Sequence, residues 1–332
     1  MKKALVIGNY GVGNFGDDLL MKSVESQLKE LQMDYVVACP GEIPGSVAIM
    51  PAGIRSFFRF RWLDFLKELR SCDVVVFGGG GLLNPEERMS LYIWGQIIIM
   101  AKIYKKKVIM IGQSFSAIDK VVDFLVNKVD AISVRDSYSY KLLSEKYTGK
   151  LVRVDDLAWY LKEKASGGKS TQISINLRPY KHVNPKELKM LVNDLIEEIG
   201  SVVNFDEIVI LPFGLEDADY CLEILGIGIK QKYKIRIAEV DNILEEINKS
   251  KVVVAERLHA CIVSVKLDAA LISLSYSSKV FSMMSDVGVK SLVNLRKDTK
   301  HLNVQDVVRN ALAKTYKKPH PRMDEVLKDV LS

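Results

Sequence analysis

The sequence predicts an α/β protein made of two parallel-sheet domains in tandem, and three observations carry that prediction. Short β-branched runs alternate with helical periods along the whole chain, the pattern of a parallel sheet covered by helices. At 332 residues the chain is too long for one ordinary core and suits two. A polar, glycine-bearing stretch without apolar period, residues 162–170, separates two series of strands. The domains are therefore expected at residues 1–164 and 170–332.

The first series places strands at 3–7, 35–38, 74–77, 108–111, 131–134 and 152–154. A helix over 18–31 fits between the first two, with apolar residues at Leu20, Val24, Leu28 and Leu31. The second series places strands at 172–177, 207–211, 235–238, 252–255 and 270–274. An internal echo supports the division. Leu66-Lys67-Glu68-Leu69 precedes Val74-Val75-Val76 at the spacing at which Leu244-Glu245-Glu246-Ile247 precedes Val252-Val253-Val254. The loops that follow, Gly78-Gly79-Gly80-Gly81 and Glu256-Arg257-Leu258-His259, would both sit at carboxyl ends of strands, where such sheets place ligands. A single active site between the two sheets is the expectation.

Composition narrows the function classes. Hydrophobic residues at 48% and charged residues at 27% describe a folded globular protein. The four cysteines, Cys39, Cys72, Cys221 and Cys261, are far apart and form no CxxC pair, which argues against a disulfide framework or a zinc site and suits a reducing cytosol. The net charge of +6 is mild and spread along the chain, with one modest cluster at Lys314, Lys317, Lys318 and Arg322. A nucleic-acid binder would show a denser basic stripe interleaved with aromatics, so no nucleic-acid partner is expected. The longest apolar stretch, 91–103, is broken by Gln96 and Lys102, too short and too polar to cross a bilayer. The N-terminus runs straight into a strand without the apolar region of a signal peptide. A cytoplasmic protein is expected, with peripheral contact at the inner face of a membrane left open.

The chemistry-bearing residues lie at strand ends. Gly11-Val12-Gly13-Asn14-Phe15-Gly16 spells GxGxxG between a strand and a helix, but the second strand ends Val37-Ala38-Cys39-Pro40, without the acidic residue that would hold an adenosine ribose. A tight turn presenting backbone N–H groups, with Asn14 beside the substrate, is the expected role. Asp17 reads either as a helix N-cap or as a carboxylate able to accept a proton from a sugar hydroxyl. Four consecutive glycines point to close backbone approach, with Gly79 and Gly80 as substrate contacts. Arg257, Leu258 and the start of the next helix would attract an anion, and His259 on that first turn is placed for proton transfer near neutral pH. Arg135, Arg178 and Lys279 also follow strands and would complete a cation set for an anion bearing both carboxylate and phosphate.

On these residues the sequence resembles the polysaccharide pyruvyltransferase family. The matching segments are residues 11–17 (GVGNFGD), 77–83 (FGGGGLL), 133–143 (SVRDSYSYKLL), 174–179 (SINLRP), and Arg257 to His259 with Tyr276 and Lys279. The resemblance implies a tandem Rossmann-like fold of the GT-B type. It also implies transfer of the enolpyruvyl group of phosphoenolpyruvate to two sugar hydroxyls, giving a cyclic ketal and phosphate. By the same analogy Arg135, His259 and Lys279 match positions implicated in activity, and Arg257 with His259 the donor-binding motif. The partners implied are phosphoenolpyruvate and a sugar or lipid-linked oligosaccharide acceptor for a cell-surface polysaccharide. The chain departs from the family pattern at Ser277-Ser278, where Asp-Pro is usual before the lysine, and at Gly112-Gln113-Ser114, where Gly is commoner in the last place. The chemistry itself demands no metal and no organic cofactor: a histidine can give and take protons while Arg and Lys hold the anion. Two other readings stand beside this one, a nucleotide-sugar glycosyltransferase on the same fold and a non-catalytic phospholigand-binding protein.

Overall fold

Val74–Phe77 is a run of three valines and a phenylalanine, buried at every position, as a mid-sheet strand covered by helices on both faces requires. The structure, a computed structural model, describes residues 2–49, 62–163, 168, 170–297, 302–319 and 323–329, and the side chains among these except those of Ser278 and Lys279. Two sheets are present, each parallel throughout. The first contains β1 (Lys3–Ile7), β2 (Asp34–Cys39), β3 (Val47–Ala48), β4 (Val74–Phe77), β5 (Lys107–Gln113), β6 (Ala131–Val134) and β7 (Lys150–Arg153), in the order β3-β2-β1-β4-β5-β6-β7. The second contains β8 (Gln172–Asn176), β9 (Glu207–Ile210), β10 (Lys234–Ile237), β11 (Val252–Ala255), β12 (Ala270–Ser275) and β13 (Leu292–Asn294), in the order β10-β9-β8-β11-β12-β13.

Every expected strand is present, displaced by no more than two residues at either end. β3 and β13 were not expected. They are edge strands of two and three residues, too short to show a period. Helices cover both sheets for ordinary reasons. Pro185–Val202 starts with proline, which suits the first helical turn, behind Asn184, whose side chain accepts the Lys186 N–H at 3.0 Å. Its buried residues Leu188, Leu191, Val192, Leu195, Ile196 and Ile199 form one stripe at helical spacing. Full burial of each such side chain contributes roughly 1.5–3 kcal/mol, so the stripe anchors the helix.

The chain divides into two compact units, Met1–Leu161 with Pro321–Ser332, and Lys162–His320. This corrects the expected boundary at the C-terminus, because the last described residues belong to the first unit and not to the second. The cause is a short helix, Glu325–Lys328, capped by a buried aspartate. Asp324 Oδ1 accepts the Val326 N–H at 2.9 Å, its own N–H donates to Gln27 Oε1 at 2.7 Å, and Ser133 Oγ donates to Oδ2. Four helical residues carry no readable period, so the sequence alone does not reveal this return. Part of the expected linker, and Arg322 of the basic cluster, lie outside the described residues.

Candidate functional site

Each sheet has one switch point, where chain order turns from one side to the other: between β1 and β4 in the first unit, and between β8 and β11 in the second. The two echoing loops follow β4 and β11 and therefore occupy the same place in each unit. Ligands of open parallel sheets bind at the carboxyl ends of strands at such points.

In the first unit, the loop after β1 runs into the helix Phe15–Glu30, and Asn14, not Asp17, is its N-cap by position. The N–H groups of Asp17 and Asp18 both donate to the Asn14 carbonyl, at 3.1 and 3.2 Å. Asp18 closes the loop by accepting the Gly11 N–H at 2.8 Å. Asp17 is left for another task. Its Oδ2 accepts from Asn14 Nδ2 at 2.8 Å and from Asn9 Nδ2 at 3.4 Å. Burial raises its carboxyl to about 6, against the opposing pull of the Asn9 hydrogen bond and the Arg135 charge. A carboxyl near neutrality, aimed by two carboxamides, is equipped to accept a proton.

The four glycines after β4 have different jobs. A Cβ on Gly78 would fall 1.8 Å from the Tyr10 hydroxyl, so glycine here makes room for the fully buried Tyr10 ring rather than for a ligand. Gly79 packs against Leu20 and Leu157, at 3.1 Å from a Cβ position. Gly80 has φ +125°, a conformation that side chains disfavour, and its Cβ position lies 3.9 Å from Asp17 Oδ1. Gly80 is thus the glycine beside the carboxyl. Its N–H donates to the Gly112 carbonyl at 3.3 Å and its carbonyl accepts the Ser114 N–H at 2.8 Å, which joins the loops after β4 and β5.

Arg135, expected to face the substrate, is buried. Its Nη1 donates to the buried Asp156 and its Nε to Ser114 Oγ at 2.8 Å. Ser114 Oγ in turn donates to Asp136 Oδ2 at 2.8 Å, and Asp136 caps the helix Ser137–Ser144. Ser114 is the family departure noted above, and here its hydroxyl links arginine to cap. Arg135 still acts on Asp17 through its charge, holding that carboxyl down.

In the second unit, Arg178 follows β8, Glu256 to His259 follow β11, and Tyr276 follows β12. Asn176, fully buried at the end of β8, ties them together: Oδ1 accepts the Arg257 N–H at 3.1 Å, and Nδ2 donates to Asp217 Oδ2 at 3.0 Å. The Arg257 side chain is committed to Asp217, with Nε and Nη2 each 2.7 Å from a carboxylate oxygen. Its expected anion-binding charge is therefore already matched within the unit. Leu258 is buried, and what this turn offers is the N-terminal end of the helix Leu258–Lys266, whose positive dipole end is a favourable place for an anion. His259 is half-buried on the first turn of that helix. The Arg178 guanidinium lies 5.1 Å from the Tyr276 ring and donates from Nη1 to the Tyr276 hydroxyl at 3.2 Å. Ser277 caps the helix Ser278–Asp286, its Oγ accepting the Val280 N–H at 3.4 Å, so serine performs the capping that an aspartate would. Lys279 is in the first turn of that helix, and its side chain lies outside the described residues.

The sequence points to the loop that Glu256 begins but assigns Glu256 itself no role, and it does not single out Asn9, Asn176 or Asp217, which hold the candidate residues in place. Glu256 alone carried a readable signal, a carboxylate that directly ends an all-apolar strand. Asp217 is separated from Arg257 by forty positions and no pattern connects them. Among the described residues no cluster of His, Cys, Asp and Glu has the make-up of a metal site, and no helix is long and apolar enough to cross a membrane.

Two doubly wound parallel units with polar residues at their switch points define a tandem Rossmann-like protein of the GT-B type. The structure is similar to UDP-GlcNAc 2-epimerase from Methanocaldococcus jannaschii, with a TM-score of 0.64 at 12% identity, covering 100% of this chain and 99% of that one. It is similar to the Neisseria meningitidis UDP-GlcNAc 2-epimerase, with a TM-score of 0.61 at 11% identity and the same coverage of 100% and 99%. The pneumococcal O-GlcNAc transferase GtfA gives a TM-score of 0.56 at 10% identity, over 94% of this chain and 91% of that one. Identities this low establish the fold alone. No curated protein matches the chain by sequence. The sequence model of the polysaccharide pyruvyl transferase family matches residues 14–278, and the chain belongs to that family of enzymes.

Proposed function

We propose that the enzyme transfers the enolpyruvyl group of phosphoenolpyruvate to two hydroxyls of one sugar in a cell-surface polysaccharide precursor, forming a pyruvate ketal and releasing phosphate. The observation that supports this reading is that Arg178 and the N-terminal end of the helix Leu258–Lys266 follow the two strands that flank the second unit's switch point, their loops joined by the Arg178 N–H on Glu256. A planar guanidinium suits a carboxylate, and the positive end of a helix dipole suits a phosphate. The donor is assigned to this unit, with Arg178, Leu258, His259 and Lys279 around it. Arg257 orients the loop after β11 from its pair with Asp217. The acceptor is assigned to the first unit, with Asn14, Asp17, Gly79 and Gly80 at its hydroxyls, and with Arg135 supporting Asp17 from behind.

The proposed reaction runs in balanced steps. His259 gives its proton to the methylene carbon of the donor, which becomes a methyl group, and positive charge develops at the adjacent carbon. A sugar hydroxyl adds to that carbon as its proton passes to Asp17. The phosphate then leaves with the proton held by Asp17, the second hydroxyl takes its place, and the proton of that hydroxyl returns to His259, so both groups end as they began. Asp17, whose carboxyl burial raises to about 6, suits the transfer assigned to it.

The test is phosphate release from phosphoenolpyruvate over a panel of sugars with vicinal or 4,6-hydroxyl pairs, free and lipid-linked. Saturable release that requires a sugar supports the reading. Turnover of a UDP-sugar with release of UDP, and none of phosphoenolpyruvate, overturns it.

A further inference from the structure

We infer that Glu256 is a positioning residue that takes up a proton when the anionic donor binds, so that donor affinity and proton uptake are linked at this carboxyl. The inference rests on the donor assignment above. Glu256 has no solvent exposure. Its backbone N–H donates to the Asn176 carbonyl at 2.9 Å, and its Oε2 accepts the Arg178 N–H at 2.9 Å. The side chain thus staples the loop after β11 to the loop after β8, directly across the switch point. Oε1 is buried and has no hydrogen-bond partner among the described residues. Ionised, the carboxylate would be a buried charge with a single neutral donor, an arrangement proteins avoid.

The surrounding charges decide which state an anion prefers. Arg178 and Arg257 favour the ionised carboxylate, and Asp217 opposes it. Tyr220 and Cys221, on the helix Asp217–Ile224, and Cys261, on the helix after β11, also face it. Arg257 and Asp217 cancel as an ion pair. Arg178 is then the charge that Glu256 controls: with Glu256 neutral it confronts the ligand unopposed, and with Glu256 ionised it is offset from below. An anion therefore binds better to the protonated form, and its arrival draws a proton in. Burial raises this carboxyl to about 7, so the switch falls in the working range of a cell.

The experiment is titration calorimetry of the whole chain with phosphoenolpyruvate between pH 6 and pH 8, each pH in two buffers of different ionisation enthalpy, on wild type and Glu256→Gln. Glutamine keeps the shape and the acceptor for the Arg178 N–H but holds no titrating proton. The two proteins should bind alike at pH 6. At pH 8 the variant should bind about tenfold more tightly than wild type, as expected for a carboxyl titrating one unit lower. Wild type should take up close to one more proton than the variant. The same pH profile and the same proton count in both proteins overturn the inference and leave the donor assignment standing. No binding by wild type at any pH overturns both. If Glu256→Gln does not fold, His259→Gln decides, because it removes the other group beside the donor that could take up a proton. At pH 8, where the free donor has little proton left to shed, net uptake by this variant supports Glu256, and its absence overturns the inference.

Discussion

Arg257 and Asp217 grip each other through two parallel hydrogen bonds of 2.7 Å, and the guanidinium lies against Gly214, where a Cβ would fall 2.0 Å from Nη2. Asp217 is fully buried, so removing it leaves a guanidinium without its counter-charge in the low-dielectric end of the sheet.

Asp217→Ala should cost about 3–5 kcal/mol in urea unfolding, the usual loss when one partner of a buried pair is deleted. Gly214→Ala should lose stability as well, since the guanidinium has to move. Unfolding transitions that match wild type for both variants would show that the pair contributes nothing.

His259→Gln keeps size and hydrogen bonding but loses the transferable proton. Its kcat should fall by roughly 10²–10⁴ while the dissociation constant of phosphoenolpyruvate changes little. With wild type in deuterated water, deuterium should appear in the product methyl group. A variant with near-normal kcat would move the acid role to Asp17 or Asp136.

In the proposed reaction Asp17 sets a pH limb. Its carboxyl titrates at about 6 and must be ionised to accept a proton, so acceptor kcat/KM should rise as pH increases through 6 and level off above it. Asp17→Asn should lose most activity and also lose this limb. Because Asn14 holds the cap position, the variant should stay folded. An Asp17→Asn enzyme that retains both rate and limb would assign the proton to another group.

Tyr10 and Gly78 should behave as a coupled pair. The Tyr10 hydroxyl is buried without a hydrogen-bond partner among the described residues, so Tyr10→Phe should be neutral or stabilising by about 1 kcal/mol. Gly78→Ala alone should destabilise strongly, and much less in the Tyr10→Phe background, where the nearest clashing atom is gone. Additive losses in thermal unfolding would refute the steric account.

The legible part of this protein was its scaffold and the addresses on it. Periodicity and β-branched runs revealed the central strands, and strand ends located Asp17, Gly80, Arg178 and His259 at the switch points. What the sequence hid was who holds whom. Arg135 and Arg257 read as free cations, yet each is paired with an aspartate, Asp156 and Asp217, that becomes its neighbour only through folding. The glycine run read as one feature, although Gly78 serves Tyr10 and Gly80 serves Asp17. Side-chain pairing across strands leaves no mark on spacing, whereas burial of a whole strand does.

The return of the chain to the first unit through Asp324 makes the molecule topologically discontinuous, with the second unit inserted into the first. Truncation after the linker would therefore not yield an intact first unit. It would strip Gln27 and Ser133 of their partner and uncover the patch that Val326 and Leu327 fill. A genetic dissection that respects the fold would excise residues 162–320 and rejoin the flanks with a short linker, keeping the tail.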